Sequence, residues 1–224
     1  MNANTAYIAD AVQKIKSQLP PDVILIAAAK TRSLEEVEAV IEAGVTHIGY
    51  NYLQEALPII KAVGDQVQWH MIGHLQTNKA KLVAAYFDMC HTIDSWRLAE
   101  YLDRRCELSG RTLPVLIEIN SGEESNKTGV LPEDVDALAE QVSSLKHLKL
   151  QGIMTMGPRF GEPEESRPYF KLTRKAFDRV KTMALPNVEM MYLSMGMSNS
   201  YPIAIEEGAN MIRVGTKLFG ERAQ

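Results

Sequence analysis

The chain has 224 residues, of which 46% are hydrophobic and 23% are charged, and its formal net charge is −4. This is the composition of a globular protein with a sizeable core, and the small negative charge excludes a strong long-range attraction to nucleic acid or acidic membranes. We find no secretory signal at the start and no run of the roughly 20 apolar residues that a membrane helix needs. Cys90 and Cys106 fit reduced thiols better than a disulfide framework. We therefore expect a cytoplasmic protein whose partners are small molecules.

Short apolar runs alternate with longer amphipathic ones along the chain. A first helix is predicted over about 5–18, because Ile8, Val12 and Ile15 recur at helical spacing. Eight strand-like runs then follow: Val23–Ala29, His47–Tyr50, Gln68–Ile72, Met89–Ile93, Val115–Ile119, Leu148–Met156, Glu189–Leu193 and Met211–Val214. Several of them are apolar with little alternation, which is typical of parallel strands that are covered on both faces.

Helices are predicted between these strands. The clearest one begins at Ser33, whose hydroxyl and the Glu36 carboxylate form a capping-box pattern, and it ends at Gly44. A second helix is predicted from about Pro132 to Leu145, where proline suits the first turn.

About eight strand–helix units in a chain of this length indicate a (β/α)8 TIM-type barrel. We expect one domain, residues 1–224, with the extra N-terminal helix packed outside the barrel or closing one end. A doubly wound open sheet is the alternative, because counting strands does not show closure.

Candidate functional residues follow the first, seventh and eighth strands. Lys30 closes the first apolar run, where a lone ammonium group is costly to desolvate and where the neutral amine is a nucleophile. Barrels collect function at the carboxyl ends of their strands, and phosphate sites favour the turns after the last two. Those turns here contain Ser194, Gly196, Gly215 and Thr216, which are suited to gripping a phosphate.

In a closed barrel the first strand neighbours the eighth. Lys30 is therefore expected to lie beside the phosphate cradle, our name for the turns that contain Ser194, Gly196, Gly215 and Thr216. A strand-end lysine next to a phosphate cradle predicts a phosphorylated aldehyde cofactor that is held as a Schiff base. Arg213 shares a strand face with Gly215 and would place a guanidinium near the cofactor ring. A pair with a barrel carboxylate such as Glu118 is the alternative for this arginine.

The histidines do not predict a metal site. His70 and His74 are spaced like a metal pair, but they straddle a strand end and a glycine turn, and no cluster of cysteines or carboxylates accompanies them. We expect structural roles for them and no bound metal.

Together these residues resemble the pyridoxal phosphate homeostasis protein family, whose barrel is similar to the N-terminal domain of alanine racemase. The matching stretches include Ala29-Lys30-Thr31, Asn51-Tyr52-Leu53-Gln54-Glu55, Trp69-His70-Met71-Ile72-Gly73, Ser194-Met195-Gly196-Met197-Ser198 and Arg213-Val214-Gly215-Thr216. The resemblance departs at Tyr50, where the family usually has glutamate, and at His74, where it usually has proline.

The resemblance implies that pyridoxal 5'-phosphate is bound covalently by Lys30 as an internal aldimine. It places Asn51 against the cofactor ring and Arg213 towards the pyridine nitrogen. Ser194, Gly196, Gly215 and Thr216 would hold the phosphate. A guanidinium cannot accept the proton that would make the ring a strong electron sink, so this site suits either a racemase-like reaction or a cofactor held without turnover.

Three functions are compatible with these residues. The preferred one is a non-catalytic, monomeric protein that maintains intracellular pyridoxal phosphate, passes it to apoenzymes and thereby affects amino- and keto-acid balance. The alternative is a pyridoxal phosphate-dependent amino-acid racemase in which Tyr50 or a histidine acts as the second base. The third is an aldolase-type barrel that uses Lys30 for a substrate imine without a cofactor.

Overall fold

Strands and helices alternate along the chain in a computed structural model that describes residues 3–122, 128–157 and 161–221. The strands are β1 (Ile24–Ala28), β2 (His47–Tyr50), β3 (Gln68–Met71), β4 (Met89–Ile93), β5 (Leu113–Glu118), β6 (Leu148–Met154), β7 (Val188–Ser194) and β8 (Met211–Val214). The helices are α1 (Ala3–Lys16), α2 (Leu34–Glu42), α3 (Leu53–Val63), α4 (Ala80–Tyr86), α5 (Trp96–Leu108), α6 (Val135–Ser143), α7 (Arg167–Thr182), α8 (Tyr201–Glu206) and α9 (Thr216–Phe219). Thr77–Lys79 and Pro163–Ser166 form short 3₁₀ turns.

The sheet closes into a barrel of parallel strands in sequence order. Closure rests on β1, which pairs with β2 on one side and with β8 on the other, where Ile24 lies opposite Met211 and Ala27 opposite Val214. The predicted TIM-type barrel is confirmed, and the open-sheet alternative is wrong.

Local capping chemistry sets the start of α2 as the sequence predicts. The Glu36 N–H donates to the Ser33 hydroxyl at 3.3 Å, and the Ser33 N–H donates to the Glu36 carboxylate at 2.8 Å. Two of the helix's free N–H groups are thereby satisfied. The helix predicted from Pro132 instead begins at Val135, because residues 132–134 form a turn.

Helix α1 packs on the outside of the barrel, against α2 and α9. The Lys16 ammonium donates to the Gly44 carbonyl at 2.8 Å, and the Gln13 amide donates to the Ala43 carbonyl at 3.1 Å. Of the two positions predicted for the extra helix, the outer one is correct.

The apolar core has two parts. The larger part lies between the strands and the surrounding helices, and the smaller one lies inside the barrel. The inner part consists of Ile26, Met89, Leu116, Met154 and Met211. These side chains fill part of the space enclosed by the strands. Within the described ranges, the helices lack the combination of length and hydropathy that crossing a bilayer requires.

Candidate functional site at the carboxyl ends of the strands

A cavity of about 910 Å³ opens at the carboxyl ends of the strands. Of the sequence-predicted site residues, it brings together Lys30, Asn51, Arg213, Gly215 and Thr216. Its other polar walls include Glu118, Asn120, Ser121, Thr128, Thr155 and Ser198. Amine, guanidinium, carboxyl and hydroxyl groups therefore converge on one space, as in a ligand site of a barrel.

Lys30 lies two residues beyond the end of β1, in a turn that its neighbours hold in place. Thr31 has φ +64°, a left-handed conformation that is costly for a β-branched residue. The Thr31 N–H donates to the Glu55 carboxylate at 2.9 Å, which ties this turn to the start of α3. The Lys30 side chain is half-buried, and its Nζ lies 5.1 Å from the centre of the Tyr52 ring. The backbone therefore directs the amine into the cavity.

The end of β8 approaches the end of β1 closely. A Cβ atom on Gly215 would lie only 3.2 Å from the carbonyl oxygen of Ala28, so glycine permits this approach. The Ser198 hydroxyl accepts hydrogen bonds from the Gly215 N–H at 3.2 Å and from the Lys217 N–H at 3.3 Å. These contacts join the loop after β7 to the turn after β8. Ser198 lines the cavity, although it was not among the residues predicted to hold the phosphate.

Two predicted phosphate ligands lie outside the cavity lining. The Ser194 side chain is fully buried, and its hydroxyl is bonded to Arg213 and His91. Gly196 has φ +90°, and a Cβ atom there would lie 2.6 Å from the Cβ atom of Ala204. Ser194 thus supports Arg213, and Gly196 allows the loop to pack on α8. Neither residue lines the cavity, and their assignment as phosphate ligands stays a prediction.

Asn51 is held by a close contact with the strand beside it. A Cβ atom on Gly73 would lie 2.5 Å from both the Cα and the carbonyl oxygen of Asn51. A side chain at position 73 would push Asn51 out of place, so Gly73 is a site residue that the strand pattern did not single out.

Arg213 and Glu118 lie in the floor of the cavity. Arg213 donates to the Ser194 hydroxyl at 2.7 Å and to the Thr155 carbonyl at 2.8 Å, and burial lowers its pKa to about 10. Glu118 is 4% exposed; it accepts a hydrogen bond from Thr128 at 2.8 Å through Oε1, while Oε2 has no hydrogen-bond partner among the described residues. Burial raises the pKa of Glu118 to about 7. The arginine is therefore bonded to a hydroxyl and a carbonyl rather than in an ion pair with Glu118.

The two departures from the family pattern have different surroundings. Tyr50 is fully buried in the core between strands and helices, beside Trp69, and its hydroxyl has no hydrogen-bond partner in the described ranges. Burial raises the pKa of this phenol far above its usual value. The phenol therefore lies outside the cavity, in which the racemase alternative would need its second base. His74 does line the cavity, half-exposed, with Nδ1 at 3.5 Å from the Asp94 carboxylate.

His70 and His74 have different surroundings, since only His74 lines the cavity. His70 is buried, and both of its ring nitrogens are bonded to other histidines. Across the residues described, no group of three or more His, Cys, Asp or Glu side chains is arranged to hold a metal ion.

The comparisons with known proteins point in one direction. Residues 4–223 match the family model of the alanine racemase N-terminal domain. The pyridoxal phosphate homeostasis protein of Aquifex aeolicus is 39% identical over 199 residues, which span 88% of this chain and 86% of that protein. PipY of Synechococcus elongatus, in its structure with pyridoxal phosphate bound, superposes with a TM-score of 0.87 at 36% identity and covers 95% of this chain and 100% of its own. An alanine racemase of Clostridium difficile shares the fold at 16% identity, with a TM-score of 0.81; the match covers 99% of this chain and 57% of the racemase.

Proposed function

The chain belongs to the pyridoxal phosphate homeostasis protein family, within the alanine racemase N-terminal domain family, and we propose that it binds pyridoxal 5'-phosphate covalently through Lys30. Its role is to hold the cofactor, to limit the free aldehyde in the cell and to release it to apoenzymes that need it. This role affects amino- and keto-acid balance through the enzymes that depend on the cofactor. We place this activity in the cytoplasm, in a monomeric single-domain protein of residues 1–224.

The observation that carries the proposal is the pairing of β1 with β8. It sets Lys30 beside the turn at Gly215 and Thr216, although more than 180 residues separate them along the chain. Pyridoxal phosphate carries an aldehyde and a phosphate on one ring, so it requires an amine and an anion site in the same cavity.

The residues present fit this cofactor. The Lys30 amine would bond to the aldehyde carbon, and the hydroxyls of Thr216 and Ser198 with the backbone at Gly215 would hold the phosphate. Asn51 would lie against the ring. The buried Arg213 would face the pyridine nitrogen as a permanent hydrogen-bond donor.

The site favours holding the cofactor over turnover. When bound, pyridoxal phosphate supplies an electron sink for carbanions, which is strongest with a protonated ring nitrogen. Arg213 donates and does not give up a proton readily, so it leaves the ring a weaker sink. The Tyr50 hydroxyl, one of the two kinds of second base considered for a racemase, is buried outside the cavity. Relatives at 34–39% identity are named as homeostasis proteins, not as enzymes.

Reconstitution with pyridoxal phosphate tests the proposal. We expect the wild-type protein to gain the visible absorbance of an imine, and Lys30→Ala to lose it. Lys79→Ala is the matched control, because Lys79 also lines the cavity, and it is expected to keep the band. An unchanged band in Lys30→Ala, or loss of the band in Lys79→Ala alone, contradicts the assignment. A wild-type protein that takes up no cofactor refutes the function, and imine formation with a keto substrate in its place supports the aldolase-type alternative.

A further inference from the structure

A chain of hydrogen bonds crosses the inside of the barrel and ends on the cavity floor. His47 Nδ1 lies 2.8 Å from His70 Nε2, and His70 Nδ1 lies 2.9 Å from His91 Nε2. His91 Nδ1 lies 3.1 Å from the Ser194 hydroxyl, which accepts a hydrogen bond from Arg213 at 2.7 Å. Each distance falls in the range of a normal hydrogen bond. Five side chains from β2, β3, β4, β7 and β8 thus form one continuous path.

The path runs from one end of the barrel to the other. His47 is the first residue of β2 and is half-buried, whereas His70, His91, Ser194 and Arg213 are nearly or fully buried. Arg213 lines the cavity, so the path leads from the amino-terminal end of the strands to the floor of the ligand site.

The arginine fixes the direction of the path. A guanidinium has five donors and no acceptor, so Ser194 must accept from Arg213. Ser194 then donates its own proton to Nδ1 of His91. In turn, His91 donates from Nε2 to His70, and His70 donates from Nε2 to His47. All three rings are then neutral and carry their proton on Nε2, and every bond in the path has one donor and one acceptor.

The opposite direction leaves a buried donor without a partner. If His91 donated to Ser194, the hydroxyl would accept twice, and its proton would find no further acceptor among the hydrogen bonds of the described residues. An unsatisfied buried donor loses its hydration without compensation. The direction set by Arg213 is therefore the stable one.

Burial keeps the rings neutral. It lowers the pKa of His70 to about 3, and it lowers the pKa of His91 well below its usual value, with further contributions from His70 and Arg213. The pKa of His47 is lowered as well, although the nearby Asp88 opposes the shift. A neutral imidazole has one donor nitrogen and one acceptor nitrogen, so three neutral rings allow each hydrogen bond in the path to have one donor and one acceptor.

We propose that His47, His70, His91 and Ser194 are positioning residues that fix the guanidinium of Arg213 in one orientation on the cavity floor. They do not touch the ligand space themselves. The path gives a buried serine at the end of β7 and three histidines on neighbouring strands a shared role beneath the site. The effect on the cofactor rests on the proposed function, whereas the path itself does not.

The tautomers give the first test, on cofactor-free protein. We expect ¹⁵N NMR of histidine-labelled protein at pH 7 to show three neutral rings protonated on Nε2, with assignments from single His→Gln variants of His47, His70 and His91. His147 is the matched control, because it lies outside the path beside Asp103. A charged ring, or an Nδ1-protonated ring, at His70 or His91 would overturn the inference. This result does not depend on whether pyridoxal phosphate binds.

Ser194 gives the second test. Ser194→Ala breaks the path, and Ser194→Thr keeps the hydroxyl. We expect Ser194→Ala to weaken pyridoxal phosphate binding about 10-fold and to shift the absorbance of the bound cofactor, since one bond to a charged group is lost. Ser194→Thr is expected to restore both properties. Equal affinity and spectrum in wild type and Ser194→Ala would overturn the proposal.

The outer end of the path gives a version of the same test that does not depend on Ser194→Ala folding. His47→Phe changes a half-buried ring outside the cavity lining. Because it removes the acceptor of the His70 Nε2–H, we expect it to change the ¹⁵N chemical shift of that nitrogen and to move the cofactor spectrum in the same direction as Ser194→Ala. An unchanged His70 signal in folded His47→Phe would count against a continuous path.

Discussion

Replacing Glu118 by glutamine is predicted to make the protein more stable at neutral pH than the wild type. Glu118 is 4% exposed, and within the part of the chain that the structure describes one of its carboxylate oxygens lacks a hydrogen-bond partner. An ionised carboxylate in that position is poorly solvated, even with Arg213 nearby. Glutamine has the same shape and keeps an oxygen for the Thr128 hydroxyl, but it carries no charge at any pH.

The magnitude follows from the two pKa values of Glu118. The ordinary value is 4.5, and burial raises it to about 7 in the folded protein. The difference of about 2.5 corresponds to about 3 kcal/mol, at about 1.36 kcal/mol for each pKa unit. Because the folded state binds this proton more tightly, the wild-type stability is highest below about pH 4.5 and falls as the pH rises through about 7.

Urea unfolding at pH 5 and pH 8, followed by circular dichroism, measures the effect. We subtract the free energy of unfolding of the wild type from that of Glu118→Gln at each pH. This difference is expected to be about 2–3 kcal/mol larger at pH 8 than at pH 5. Glu107→Gln is the control, because Glu107 is exposed on α5, and its difference from wild type should not change with pH. A constant difference for Glu118→Gln across this range would refute the reasoning, as would a difference of opposite sign.

Two further predictions concern the fold. Gly152→Ala is expected to lower the free energy of unfolding by about 3 kcal/mol or more. Its Cβ atom would lie 1.8 Å from the Tyr192 carbonyl oxygen and would push β6 away from β7. Gly110→Ala, which has φ +65° and open space around it, should cost about 1 kcal/mol, and equal losses in urea unfolding would contradict the contact argument. Ser33→Ala should cost about 1 kcal/mol by removing the cap that faces Glu36, and an unchanged unfolding midpoint would show that the capping box is dispensable.

The barrel and the place of Lys30 could be predicted from the sequence because both depend on short-range patterns. Apolar runs, helix caps and strand order suffice to place β1 beside β8 once the sheet closes. Closure itself depends on pairing between chain ends, which no local pattern encodes. The structure supplied it.

The depth of a side chain in the barrel was harder to predict. Alternation along a strand gives the face of each residue but not its height relative to the cavity floor. Ser194 lies outside the cavity lining, and its hydroxyl is bonded to Arg213 and His91. For Tyr50 a usable sequence signal did exist. Asn51 was expected to lie against the cofactor ring, and alternation along the strand puts the preceding residue on the opposite face.

The most direct test of the central claim is the site of attachment. Protein reconstituted with pyridoxal phosphate is reduced with borohydride, digested and analysed by tandem mass spectrometry, with Lys79→Ala treated in parallel. We predict one stoichiometric pyridoxyl adduct on Lys30 in both proteins. Adducts spread over surface lysines, or one stoichiometric adduct on a lysine other than Lys30, would contradict the account.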